Sequence, residues 1–226
     1  MTAKPKIRTE IALAAAGALS SAAFSALAAK SVKPRTIFHD LRLRSRIPAR
    51  GRRTSRTAYY IGFLGKEYSV LPAAGAIALY LLRENKKAGA AAVMSATAIG
   101  TAASHIFDAT MPQKTPPPGR RAPFDPHFPS GHALHSATLL AISAWVLGRE
   151  GVADTRALTA GAAALAASLG IDRLVQDRHW TTDVAGGWLA AIGIASFTAA
   201  AYEHLRSGPT VPRRVRRNRA GSSPRQ

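Results

Sequence analysis

Six apolar runs divide this chain. Residues 11–29 are 19 uncharged positions, and residues 88–107 are 20 uncharged positions rich in Ala, Gly, Ser and Thr. Residues 131–148, 157–171 and 184–202 are three more uncharged runs. The sixth, residues 57–83, is interrupted by Lys66, Glu67 and Pro72. Charges at mid-bilayer depth are expensive, so this run is expected to be kinked, interfacial or buried against its neighbours. Runs of this length with short polar breaks predict an all-α, membrane-associated bundle of five or six helices. The small residues of 88–107 suit close helix packing, as do Gly186 and Gly187 in the last run.

The first run follows Lys4, Lys6 and Arg8 and ends in Ser25-Ala26-Leu27-Ala28-Ala29. A basic start, an apolar stretch and a small-residue ending read as a secretory signal peptide. The alternative is an uncleaved first transmembrane helix, since 19 residues just span a bilayer. Either one exports the segment after it. Residues 30–57 read as a basic loop or short surface helix with no chemistry assigned. Residues 58–202 form the helical domain, and residues 203–226 a basic, disordered tail.

Consecutive antiparallel helices alternate their exits, so the connections at 108–130 and 172–183 fall on the same face of the bundle. Three polar islands therefore meet in space: Lys114 to Arg121, Pro129-Ser130-Gly131-His132, and Asp172-Arg173 through His179 to Asp183. Ser130 is a natural N-cap ahead of a long apolar run, and a helix N-terminus presents free N–H groups to an anion. Gly131 lets the backbone come close to a ligand. Lys114 and Arg121 flank three prolines, which hold the two cations at a fixed distance. Thr181 or Thr182 can cap the last helix, which puts Asp183 in its first turn. From there a carboxylate can accept from one imidazole nitrogen of His179, leaving the other as base or nucleophile. Each island also has a plainer reading: a capped helix, a basic loop beside a membrane, a polar helix connection.

Charge adds the partners. Lys plus Arg number 31 against 12 Asp plus Glu, a formal charge of +19. Ten of the basic residues lie in 30–57 and seven in 203–226. These arms suit anionic membrane lipids rather than nucleic acid, because long apolar runs lie between them. The chain has no cysteine, so disulfides and thiolate metal sites are excluded.

The order K-x6-R, then P-S-G-H, then R-x5-H-x3-D resembles the signature of the type 2 phosphatidic acid phosphatase superfamily. That group holds bacterial acid phosphatases, membrane lipid phosphatases and vanadium haloperoxidases. There are two departures: Ala122 stands where Pro usually follows the Arg, and Asp172 where Ser usually precedes it. Asp172 adds a negative charge to that corner.

The resemblance implies that Lys114, Arg121 and Arg173 grip the phosphoryl oxygens, with Ser130 and the Gly131 backbone N–H adding hydrogen bonds. It implies His179 as nucleophile forming a phosphohistidine, Asp183 as its orienting carboxylate, and His132 as acid to the leaving oxygen. Protein cations would then stand in for metal, and no cofactor is implied. The implied substrate is a phosphomonoester or pyrophosphate of a lipid. Undecaprenyl pyrophosphate, phosphatidylglycerol phosphate and lipid A phosphate all stay open.

Two alternatives stand beside this reading: a vanadate-dependent haloperoxidase, and a non-enzymatic membrane adaptor with basic arms. A metal site from His135, Asp125 and His127 lacks diagnostic spacing. His39, His105 and His204 read as incidental, and Trp180, Trp188 and Tyr202 as interfacial belts or packing. With 11–29 starting inside, the site faces the periplasm or exterior of a bacterial inner membrane. Basic residues do not confirm that side, since a six-span reading puts fifteen on each.

Overall fold

A computed structural model of the chain describes residues 4–47, 60, 62–114 and 127–206. Among these residues seven helices follow one another: α1 (Lys4–Ala28), α2 (Pro34–Arg44), α3 (Glu67–Arg83), α4 (Lys87–Thr110), α5 (Gly131–Arg149), α6 (Thr155–Val175) and α7 (Thr181–Arg206). Six of them fall on the six apolar runs. α2 is the surface-helix option of the basic stretch, started by Pro34 at a position where its missing N–H costs nothing. Four helices are long and apolar enough to cross a membrane: Arg8–Ala28, Lys87–Thr110, Thr155–Val175 and Thr181–Arg206.

The run 57–83 is not one helix. Residues 62–64 make a helical turn, and α3 starts at Glu67 after Lys66, whose backbone is extended. Pro72 sits inside α3 without ending it.

α5 is the central element. Eleven of its 19 residues are buried, because α3, α4, α6 and α7 all pack around it. Val70 and Leu81 of α3, Val93 of α4, Ile142 and Val146 of α5, and Tyr202 of α7 form the main core. α1 lies along α7: Ser20 Oγ donates to the Leu189 carbonyl at 2.8 Å. A Cβ on Gly193 would come within 2.9 Å of Ser21 Oγ, so small residues set this close approach. A smaller cluster of Phe24, Phe128 and Leu134, with Phe107 against it, lies towards the end where α5 and α7 begin.

The opposite end is closed by ionic pairs. Arg149 donates to both carboxylate oxygens of Glu203, at 2.6 and 2.9 Å, and Trp145 Nε1 donates to the same group at 3.1 Å. Lys86 reaches Glu150, which also accepts from the Tyr202 hydroxyl. Glu203 is buried, so α7 runs past the expected start of the tail. Trp180 and Tyr202 are buried in packing rather than set in an interfacial belt. Residues 207–226 and most of the proline loop, Arg121 included, lie outside the described residues.

Candidate active site

The ends of α4 and α6 and the starts of α5 and α7 come together, as the alternation of exits requires. α5 and α7 meet at their first turns. The Ser130 N–H donates to the Asp183 carbonyl at 2.9 Å. A Cβ on Gly187 would lie 2.7 Å from the Ser130 carbonyl oxygen, so only glycine permits this crossing.

Asp183 is the hub and is 0% exposed. Its Oδ1 lies 2.6 Å from Lys114 Nζ. Its Oδ2 accepts from the Trp180 N–H at 2.9 Å, closing the first turn of α7, and lies 3.7 Å from His179 Nδ1. That last separation is an ion-pair distance rather than a hydrogen bond. Lys114 and His179 are themselves buried. A buried lysine beside a buried carboxylate is a built feature, not a solvated basic loop, because desolvating either charge alone costs several kcal/mol.

Arg173 is also buried, paired with its neighbour Asp172, whose carboxylate additionally accepts from Gln176 at 2.5 Å. The departure noted at Asp172 thus acts directly on the arginine. The turn at 62–65 lies across this corner. A Cβ on Gly62 would come within 1.9 Å of the Arg173 guanidinium, and one on Gly65 within 3.3 Å of the His132 side chain. A side chain at Gly62 would displace the Arg173 guanidinium, and one at Gly65 would crowd His132, closeness that their sequence context does not signal. His132 itself is half-buried in the first turn of α5.

Two expectations about helix starts are corrected. Ser130 holds the N-cap position of α5 with an extended backbone, but its hydroxyl caps no N–H. Ser130 Oγ is buried without a hydrogen-bond partner among the described residues, as is Arg173 Nε. Buried polar atoms are normally paired, so these two stand out at the start of α5 and the end of α6. Second, Thr181 and Thr182 do not precede α7 but lie in its first turn. The cap comes from another helix: Asp40 of α2 accepts from the Thr182 N–H at 3.0 Å and from its hydroxyl at 2.6 Å.

Asp40 is 1% exposed and lies 3.7 Å from Lys114 Nζ. Burial pushes its carboxyl up, against the pull of Thr182 and Lys114 in the other direction. Nothing in the basic stretch 30–57 marks this residue, because its partners are remote in sequence.

Below the site an apolar groove of about 440 Å³ opens, lined among others by Ala137, Ala141, Ala163, Ala167, Trp188 and Ile192. Ala137 follows His132 by five residues and Trp188 follows Asp183 by five. At the helical rise this is about 8 Å from the polar groups. Of the possible metal-site residues, Asp125 lies outside the described residues, His127 lies beside Gln113, and His135 is buried in α5. No group of three or more His, Asp or Glu able to hold a metal occurs among the described residues.

The sequence profile of the PAP2 superfamily matches residues 87–206. The fold is similar to the crystal structure of a transmembrane PAP2-type phosphatidylglycerolphosphate phosphatase from Bacillus subtilis. The TM-score is 0.72 and the identity 18%, covering 84% of this chain and 96% of that one. No curated protein sequence matches the chain.

Proposed function

The chain belongs to the PAP2 superfamily, and from that membership and the site's geometry we propose that this membrane phosphatase cleaves a lipid phosphate or lipid pyrophosphate through a phosphohistidine at His179, without a metal ion. The observation that carries the reading is the hub at Asp183, a fully buried carboxylate shared by Lys114 and His179 at the start of α7. Asp183 lies nearer to Nδ1, which leaves Nε2 of His179 to attack phosphorus. The P–O bond to the leaving group breaks as the P–N bond forms, and His132 gives its proton to the departing oxygen. Water then attacks the phosphohistidine, giving its proton to His132 and returning His179 and inorganic phosphate.

Lys114, Arg121, Arg173, Ser130 Oγ and the Gly131 N–H would hold the phosphoryl oxygens. The orphaned Ser130 Oγ and Arg173 Nε support two of these assignments. Fixed cations aimed at developing charge supply the stabilisation that a metal ion supplies elsewhere. The groove below the site supports an apolar chain on the substrate. Residues 1–29 act as a retained helix in this reading, because α1 packs along α7.

Purified protein in excess EDTA is expected to release phosphate from lipid phosphates at the rate seen without chelator. Loss of activity in EDTA, restored by zinc or magnesium, overturns the metal-free mechanism.

The reading also places the site outside a bacterial inner membrane, with the basic arms against anionic lipid. The native chain has no cysteine, so Gln113→Cys, an exposed position next to Lys114, reports the side. It is expected to react with an impermeant thiol reagent before inner-membrane lysis, and labelling only after lysis reverses the topology.

A further inference from the structure

We propose that Asp40 is a positioning residue for Lys114, acting through the hydroxyl of Thr182, and that it tunes the charge of the phosphate pocket. The inference rests on the phosphatase reading of the site.

Asp40 is the only buried residue of α2, while the apolar Phe38, Leu41 and Leu43 of the same helix are exposed. α2 is therefore not held by burying an apolar face. Two polar anchors hold it: Asp40 on the start of α7, and Arg44, which grips Asp177 with two hydrogen bonds of 2.8 and 2.7 Å. Asp177 lies in the connection between Arg173 and His179, so both anchors land on the catalytic segment.

A cap for α7 alone needs only an acceptor for the Thr182 N–H, and Asn, Ser or Thr would serve without burying a charge. The second oxygen of Asp40 explains the carboxylate. Thr182 Oγ1 receives a hydrogen bond from Lys114 Nζ at 2.5 Å and donates its own proton to Asp40 Oδ2 at 2.6 Å. With the proton committed to Asp40, a lone pair of the hydroxyl faces the ammonium. Lys114 is thereby held between Thr182 and Asp183 instead of collapsing onto Asp183 alone, which would neutralise the carboxylate that orients His179.

Asp40 also subtracts one charge from the pocket at 3.7 Å from Lys114. Asp40→Asn keeps an acceptor for the Thr182 N–H but offers the hydroxyl an amide donor, which reverses the relay. It also makes the pocket more cationic. Charge acts more strongly at this distance than one neutral hydrogen bond, so the two consequences run in opposite directions. Turnover falls while anion binding tightens. A residue that merely supports the fold would weaken both.

The experiment measures kcat on a soluble phosphate ester and competitive inhibition by inorganic phosphate, for wild type and Asp40→Asn. Expected are a kcat lowered about tenfold or more and an inhibition constant lowered about threefold or more, in keeping with loss of one charge near the anion. Equal values in the two proteins, or a joint loss of kcat and phosphate affinity, overturn the proposal.

If Asp40→Asn does not fold, Thr182→Val decides: it removes the relay but leaves both carboxylates. It is expected to lower kcat with phosphate inhibition within twofold of wild type, and a wild-type kcat overturns the relay. The rise in melting temperature on adding inorganic phosphate gives a readout independent of turnover, expected to be larger for Asp40→Asn. If the wild type releases no phosphate from any ester, the phosphatase reading fails, and this thermal comparison still decides the role of Asp40.

Discussion

His179→Ala is expected to abolish phosphate release and leave no covalent phosphoenzyme. Acid-quenched wild type should carry phosphate in an acid-labile, base-stable linkage at position 179. The expectation follows from what surrounds the ring. His179 is 3% exposed, and its Nδ1 faces the buried Asp183 at 3.7 Å. A nucleophile held by a carboxylate on one nitrogen acts with the other. Losing the nucleophile of a covalent mechanism removes the whole two-step route, and only slow background catalysis from the cation pocket remains, with a loss on the order of 10⁴-fold or more. Phosphate binding should survive, because Lys114 and Arg173 are untouched. A labelled phosphoenzyme in the His179→Ala protein would move the nucleophile elsewhere.

The second large effect is expected at His132, and it should depend on the substrate. His132→Ala is expected to lose about 10²–10⁴-fold with alkyl phosphates, the usual worth of a positioned proton donor. The loss should be much smaller with a nitrophenyl ester, whose leaving group departs without a proton. His132 sits half-buried at the first turn of α5, under the turn of residues 62–65. Comparing kcat/KM of wild type and variant on the two substrate types checks the assignment. An equal loss on both removes the acid role from His132 and leaves the nucleophile at His179 standing.

Much of this protein is legible in its sequence. Apolar run lengths located six of the seven helices, four of them long and apolar enough to cross a membrane, where a spanning segment must satisfy its own backbone. Motif order singled out Lys114, Ser130, His132, Arg173, His179 and Asp183, all of which lie at or beside helix ends. The parity of helix exits then put the islands at one end of the bundle, which the contact between Ser130 and Asp183 bears out.

Packing decided the rest. Asp40 and Thr182 are 142 positions apart, and Asp40 lies in a stretch whose neighbours Arg42 and Arg44 read as a solvated basic surface. Its burial follows from α2 docking on α7, which no local pattern encodes. The same holds for Gly62, ordinary in sequence and yet so close to the Arg173 guanidinium that a side chain there would displace it. Ser130 shows the converse. Its sequence context predicts a cap, but its hydroxyl caps no N–H and has no partner among the described residues. Local sequence thus determined which elements form and which polar groups sit at their ends. Which buried charges share a partner was decided by the tertiary structure, because pairing energies depend on distance and desolvation and both are set by elements remote in the chain.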